Sequence, residues 1–218
     1  MKLLAHKTAD FKSPIITVHE ALRLRRNYPE AWEGRHFYDI IKLRPMVPVD
    51  RGTKSSSFAF LGGCGGGHGH GSKGIAHELV QDYICKLRTW RVRVYGKEFL
   101  LRIESASDEW PVHDLKTGLN YSVDCKLVLS PDSDLYGETF GLVGVEITAT
   151  HKTRHRKAKA LARTGLIVLE LQMIPDWHVR NELEISSDEL KVLRARITGL
   201  LNKGTRLSCL SKPSYVRI

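Results

Sequence analysis

The sequence predicts an α/β (α+β) protein built on a small mixed sheet flanked by helices, and two kinds of periodicity carry this prediction. Apolar residues alternate with polar ones over 121–129 and 142–149, which is the period of a half-buried strand. Apolar residues at helical spacing occupy 75–88, and a second helical segment covers 152–164 before Gly165 ends it.

The order of these segments predicts a strand–helix–strand crossover over 141–173. Residues 166–173 are almost wholly apolar, which is typical of a strand that is buried on both faces. A strand that follows such a helix pairs in parallel with the strand before it. Upstream, the alternation around Gly96 and Lys97 predicts a hairpin over 91–104.

Composition divides the chain into four parts. Prolines interrupt every long element before residue 60, apart from a short predicted helix at 18–25. Eight glycines in fourteen positions predict a loop, and a capping box at Ser186 and Glu189 predicts the start of a late helix. The parts are an irregular basic N-terminal region (1–60), a Gly-rich loop (61–74), a regular core (75–177) and a C-terminal helix and tail (178–218).

The charge balance favours a polyanionic partner. The 218 residues include 34 Lys and Arg against 24 Asp and Glu, a net charge of +10, so nucleic acid is the expected partner. No apolar stretch approaches the roughly 20 residues that span a bilayer, and no signal peptide is expected at the start. The four cysteines stand apart from one another, which favours a reducing, cytoplasmic location.

Asp124 and Glu146 are the first candidates for chemistry. Each is a lone carboxylate inside an apolar strand, where an acid is unfavourable unless it is paired or binds a metal. Neighbouring strands lie ~4.8 Å apart, so two acids on one face can share a cation. Oxygen ligands suit Mg²⁺ or Mn²⁺. The alternative is a pair of acids that face solvent or pair with Lys126.

An acid on one strand, a second acid on the next, then a helix and a further strand resemble the PD-(D/E)XK nuclease superfamily. The matching residues are Asp124, then Glu146 to Thr148, then the helix and strand that follow. The resemblance implies a restriction-endonuclease-like core, with Glu78 and His77 of the first helix at the edge of the metal site. Residues 72–77 are also weakly similar to the competence-protein (CoiA-type) branch.

The resemblance implies a Mg²⁺- or Mn²⁺-dependent deoxyribonuclease that hydrolyses phosphodiester bonds, with DNA favoured over RNA. Thr148 stands where the family has a lysine, and threonine cannot supply the charge that stabilises the phosphate. Lys126 or Lys152 is expected to replace that lysine. Gln172, near the end of the last core strand, is a candidate for orienting water, with an ordinary polar strand end as the alternative.

A basic stripe on the second helix is the expected nucleic-acid-binding surface. Its four residues are spaced 4, 3 and 4 apart and therefore project from one side of a helix. Phosphates relieve the repulsion within such a stripe and release counterions. The members are Lys152, Arg156, Lys159 and Arg163.

Other functions stay open at this stage. The chain is either an active nuclease, an inactive nuclease-like module that binds nucleic acid, or a structural protein of a phage or mobile element with a basic partner-binding face. The glycine loop lacks the G-K-[ST] ending of a phosphate-binding loop, and its Cys64 and histidines match no standard zinc spacing. A plain linker is the favoured interpretation there, and the oligomeric state is open.

Overall fold

The structure is a computed structural model with two compact units, one formed by residues 1–78 and 178–193 and the other by 79–177 and 194–218. Most of the glycine-rich loop, and Lys152, lie outside the residues that it describes. No helix in the described part of the chain is long and apolar enough to cross a membrane. The described residues are 2–52, 56–62, 74–149, 153, 155–179, 182 and 185–211.

The first unit contains a five-stranded antiparallel sheet, so the expectation of an irregular N-terminal region is wrong. Its strands have only two to five residues each, too few for an alternating pattern to stand out in the sequence. The sheet order is β2-β1-β3-β4-β5. The strands are β1 (Leu4–His6), β2 (Ile15–Thr17), β3 (Phe37–Tyr38), β4 (Pro45–Val49) and β5 (Ser57–Phe60).

Two prolines of the first unit, Pro45 and Pro48, lie in β4. Pro48 has no N–H to donate, but β3 pairs only with Pro45 and Met46, so no bond of that ladder is lost at Pro48. Helix α1 (Val18–Asn27) confirms the predicted short helix, and the Thr17 hydroxyl caps it by accepting from the N–H of Glu20. A four-residue helix, α2 (Pro29–Trp32), follows it.

The second unit is built on a closed six-stranded barrel with the order β10-β11-β6-β7-β8-β9. Two strand pairs are parallel, β9 with β10 and β11 with β6, so the sheet is mixed and the α+β class is confirmed. The strands are β6 (Thr89–Val94), β7 (Lys97–Asp114), β8 (Leu119–Leu129), β9 (Leu142–Thr148), β10 (Ile167–Gln172) and β11 (Thr205–Ser211).

Helices accompany the barrel strands in the predicted order. The two helices expected from apolar periodicity are α3 (Ile75–Lys86) and α5 (His155–Arg163), and a short α4 (Tyr136–Thr139) precedes β9. The capping box is present at α6 (Ser187–Asn202), where the N–H of Glu189 donates to the Ser186 hydroxyl and the Ser186 N–H donates to the Glu189 carboxylate. Helices α3 and α6 each have residues in both units.

The apolar residues of β8 and β9 form the barrel core, and β9 is buried on both faces from Val143 to Thr148. Cys125, Leu127 and Leu129 of β8 and Val143 and Val145 of β9 are at most 1 % exposed. Burying one such aliphatic side chain stabilises the fold by about 1.5–3 kcal/mol. The register that follows from this burial decides which residues of β8, β9 and β10 lie side by side.

Candidate active site

Three carboxylates lie at neighbouring positions on three successive barrel strands. The β8–β9 ladder ends at the pair Cys125 and Val145, and the next residues outward on these strands are Asp124 and Glu146. Glu146 is paired in register with Glu170 of the parallel strand β10. The three acids are only 6 %, 8 % and 6 % exposed, so the sheet places a row of buried acids where the sequence predicted two on neighbouring strands.

Asp124 holds strand β8 against β9 at the point where their ladder ends. Its carboxylate Oδ2 accepts the backbone N–H of Ile147 at 2.8 Å. Its backbone carbonyl accepts the side-chain amide of Gln81, on α3, at 2.6 Å. The Ile147 N–H thus holds the carboxylate of Asp124, and the Gln81 amide holds the backbone of the same residue.

The alternation of β8 is interrupted beside Asp124. The Lys126 ammonium lies 5.2 Å from the ring centre of Trp110, and Trp110 also packs in the cluster that contains Val123. Strict alternation would put Val123 and Lys126 on opposite faces. Glu109, between the two β7 residues that pair with Val123 and Cys125, has a φ of +51°, which marks the same irregularity on the facing strand.

Lys157 of α5 is the cation beside Glu146. Its ammonium forms an ion pair with Glu146 Oε1, and the two side chains are 23 % and 11 % exposed. The sequence predicts Lys126 or Lys152 in this role. Lys126 instead lies over Trp110, and Lys152 is outside the described residues. No spacing rule identifies Lys157, because its contact depends on how α5 packs on the sheet.

Glu170 is the third acid, and sequence reasoning missed it. Its Oε1 accepts the N–H of Thr153 at 2.8 Å, just before α5 begins, and its Oε2 accepts from the Ser208 hydroxyl at 3.3 Å. The signal was present, because Glu170 is a lone acid in an apolar strand, as Asp124 and Glu146 are. Glu170 therefore holds the backbone just before the start of α5, the helix that carries Lys157.

Two buried oxygens near the acid row make no hydrogen bond within the described residues. They are Gln81 Oε1, whose amide nitrogen contacts Asp124, and Thr153 Oγ1, whose N–H contacts Glu170. A buried polar atom without a partner is unfavourable, so each of these oxygens could accept one further hydrogen bond. Gln81 was not identified from the sequence, where its amide stands among helix residues of ordinary composition.

The donors in this region are oxygens, the type that Mg²⁺ and Mn²⁺ prefer. Within the described ranges, no group of three or more His, Cys, Asp or Glu side chains is arranged to hold a metal ion. Mg²⁺ commonly uses only one or two carboxylates and completes its shell with water and substrate phosphates. Asp124 and Glu146 supply that number of carboxylates, and Gln81 supplies a further oxygen on a side chain that contacts the Asp124 backbone.

Thr148 and Gln172 end their strands side by side. They are paired in register, and the Thr148 hydroxyl donates to the carbonyl of Leu171 at 3.5 Å. Thr148 is buried while Gln172 is exposed. The threonine is thus satisfied by the backbone of β10, and the role of Gln172 in orienting water stays a prediction.

Glu78 and His77 belong to the first unit, where the carboxylate of Glu78 binds the backbone at the start of strand β1. Both of its oxygens accept backbone N–H groups, from Leu3 at 2.7 Å and Leu4 at 3.1 Å. Burial raises the pKa of Glu78 to about 7, against the opposing effects of the Lys2 charge and these hydrogen bonds. The assignment of Glu78 and His77 as metal ligands stays a prediction.

The basic stripe divides into exposed and paired members. Arg156 and Lys159 are exposed on α5. Arg163, in the last turn, is paired with Asp114 of β7 through both Nε and Nη2. The hydrogen bonds from Arg163 and from the Thr117 hydroxyl hold the pKa of Asp114 well below its usual range.

Comparison of this chain with family models, with curated proteins and with solved structures found no match. The functional assignment therefore depends on the acid row of Asp124, Glu146 and Glu170, on Lys157, and on the basic face of α5.

Proposed function

We propose that the protein is a metal-dependent nuclease that hydrolyses phosphodiester bonds of DNA, with a restriction-endonuclease-like site of the PD-(D/E)XK type. One observation carries the proposal: Asp124 and Glu146 are buried acids at neighbouring strand positions, and Lys157 contacts the second of them. Two acids and a lysine, here on β8, β9 and α5, are the set that the resemblance implies for this chemistry. The isolated cysteines favour a cytoplasmic location for it.

The two acids are assigned to Mg²⁺ or Mn²⁺. A bound divalent ion would supply an activated water and neutralise charge on the leaving oxygen. The chain fixes the acids for this role, since the Ile147 N–H holds the carboxylate of Asp124 and the register places Glu146 one strand away. The amide oxygen of Gln81 is a further oxygen donor for the same ion or for its water.

Lys157 is assigned the charge that Thr148 cannot supply. A positive group beside the reacting phosphate stabilises the negative charge that develops on it. Lys157 reaches the site from α5, whereas the family's lysine comes from the strand position occupied here by Thr148. Its 23 % exposure leaves part of the side chain open to an approaching phosphate.

A silent nucleic-acid-binding module is the second candidate. Two observations favour it: Thr148 replaces the expected lysine, and Glu146 is already neutralised by Lys157. Such a module would use the same basic helix face but would not cleave. An activity measurement separates the two candidates.

The test is cleavage of single- and double-stranded DNA with Mg²⁺ and with Mn²⁺, with EDTA as the metal-free control. We expect cleavage by the native protein and none by Asp124→Asn or Glu146→Gln, because each removes a ligand charge at nearly constant size. Asp124→Asn keeps an oxygen for the Ile147 N–H, so the sheet should remain folded. Glu104→Gln, at an exposed acid of β7, is the matched control.

Thermal unfolding of each variant separates lost chemistry from lost folding. A native protein that leaves DNA and RNA intact with both metals, yet binds them, contradicts the nuclease and establishes the silent module.

A further inference from the structure

A cleft in the first unit combines aromatic and basic side chains. It offers about 140 Å³ and lies between the end of α1, the segment after α2, and strand β4. Trp32, Phe37 and Pro48 form its apolar surfaces, and Arg25, Arg35 and His36 line it with basic groups. No acid is among the described residues that line it.

The aromatic part of this cleft is held rigidly. Trp32 stacks on Phe37 with ring centres 5.1 Å apart and planes 11° apart. Phe37 is only 1 % exposed and packs in turn against Phe58, so Trp32 rests on the core of the sheet. A rigid aromatic surface loses little conformational entropy when a planar ligand stacks on it.

The basic part is exposed by comparison. The Arg35 guanidinium lies 5.7 Å from the ring centre of Trp32, and Arg25 reaches the cleft from the last turn of α1. Planar guanidinium groups stack on bases, and both arginines can hydrogen-bond a phosphate. A planar ring next to an anion is the ligand that this combination fits.

We propose that the cleft binds an unpaired base and the adjoining phosphate of a single-stranded polynucleotide. The base would stack on the face of Trp32 that Phe37 does not cover, where it would displace the Arg35 guanidinium, and the phosphate would lie against Arg25. The choice of a polynucleotide rests on the proposed nuclease function; the choice of an unpaired strand rests on the cleft, because a base within a duplex does not offer its face to a protein ring.

The test is fluorescence anisotropy with a labelled oligothymidylate of about 12 nucleotides, a length within the usual range of single-strand sites. EDTA is present throughout, so that binding is measured without cleavage. We expect Trp32→Ala to weaken binding by about 5- to 150-fold, the range for loss of one base–aromatic stack. Trp32→Phe keeps a stacking ring and should retain most of the affinity.

Matched controls come from the same unit. Tyr28→Ala removes an aromatic side chain that is 61 % exposed and does not line the cleft. Arg23→Ala removes an exposed charge from the same helix as Arg25, also away from the cleft lining. Arg25→Ala should lower the slope of log K against log salt by about 0.7, and Arg23→Ala should change it less.

Tryptophan fluorescence locates the contact directly. The oligothymidylate should quench emission of the native protein and of Trp110→Phe, and it should quench Trp32→Phe much less. Equal affinities of Trp32→Ala and Tyr28→Ala overturn the proposal. A duplex that binds as tightly through Trp32, or thymidine monophosphate that competes as well as the oligonucleotide, overturns it too.

These outcomes are separate from those of the nuclease test. A protein that binds the single strand through Trp32 but cleaves nothing retains this inference and loses the proposed activity. A protein that cleaves DNA with no dependence of binding on Trp32 retains the activity and loses this inference.

Discussion

The two ends of helix α5 make the same type of contact with opposite consequences. Near its start, Lys157 pairs with Glu146, and at its end Arg163 pairs with Asp114. In both pairs a basic residue of the helix meets a buried carboxylate of the barrel. The surroundings of each carboxylate decide what the pair does.

Asp114 is saturated by its neighbours. Besides the two-pronged contact with Arg163, it accepts from the Thr117 hydroxyl at 2.6 Å and from the Lys116 N–H at 3.2 Å, within the turn between β7 and β8. Arginine is suited to such a planar, two-pronged contact. This pair anchors the last turn of α5 to the barrel.

Glu146 lies in a different setting. It has acids beside it on both neighbouring strands, and its partner is a lysine, a compact charge that can turn toward another anion. Clustered like charges are unfavourable for stability alone, which is why such clusters indicate chemistry. An ion pair is therefore a candidate for function when the residues around it leave its charged groups able to contact another ion, which is the case for Lys157 and not for Arg163.

Among the variants of α5, the largest expected effect comes from removing Lys157. Lys157→Met keeps the length and apolar stem of the side chain but removes its charge. Loss of one stabilising group at a reacting anion costs about 100- to 1000-fold in rate, so we expect cleavage to fall by that factor. Single-turnover cleavage with saturating Mg²⁺ measures it, and affinity for DNA should fall far less.

Lys159→Met is the matched control for this experiment, since it removes an exposed lysine from the same helix. It should weaken binding slightly and leave the single-turnover rate unchanged. Equal loss of rate in both variants would show that α5 contributes only general positive charge.

Loss of the Arg163–Asp114 pair should lower the thermal stability of the protein and leave its cleavage rate unchanged. Arg163→Met removes the partner of a buried carboxylate, so we expect the unfolding temperature at neutral pH to fall by several degrees while the cleavage rate of the folded fraction is unchanged. Thermal unfolding followed by circular dichroism gives the first quantity. Arg156→Met, at an exposed arginine of the same helix, is the control.

The pH dependence of that loss has a defined sign. Because the pKa of Asp114 is lowered in the folded protein, its contribution is fully present above the unfolded value of about 3.9. It disappears as the pH falls through the lower folded value. The stability difference between native protein and Arg163→Met should therefore be constant from pH 5 to 7 and shrink below about pH 4.

Much of the second unit was predictable because its elements are long or strictly periodic. Strands β8 and β9 of this unit follow local rules, and so do helix α3, which begins in the first unit, and the capping box of α6, which lies in the first unit. The extension of β7 to Asp114 and the strand β11 were missed, since their side chains are mostly polar or mixed. Closure of the sheet into a barrel depends on pairing between β11 and β6, which are distant in sequence.

The candidate site was predictable only in part. A lone acid in an apolar strand identified Asp124 and Glu146, and the same rule would have identified Glu170. That rule does not identify Lys157, which is a basic residue of a helix. Helical spacing identified only the basic stripe, and Lys157 is not part of it. The pairing of Arg163 was equally hidden, since Asp114 lies 49 residues away in the chain.

The smallest expected effect is the salt dependence of DNA binding by the basic stripe. The sequence predicts that the triple change Lys152→Ala, Arg156→Ala and Lys159→Ala lowers the slope of log K against log salt by roughly 2 to 3 units. The structure sharpens this prediction for the two exposed, described members. Arg156→Ala with Lys159→Ala should lower the slope by about 1.8 for duplex DNA, or about 1.4 for a single strand.

Arg163→Ala should lower the slope of log K against log salt by much less than the value of about 0.9 for one phosphate contact with duplex DNA. Asp114 already neutralises that arginine, so few counterions are left to release. Alanine favours the helix, so the exposed positions should stay folded. Binding titrations at several salt concentrations measure all three slopes. A drop near 0.9 for Arg163→Ala would show that DNA takes Arg163 from Asp114. A different outcome would place the phosphates on the first unit. In that outcome, removal of Arg23, Arg25 and Arg26 lowers the slope, whereas removal of Arg156 and Lys159 leaves it unchanged.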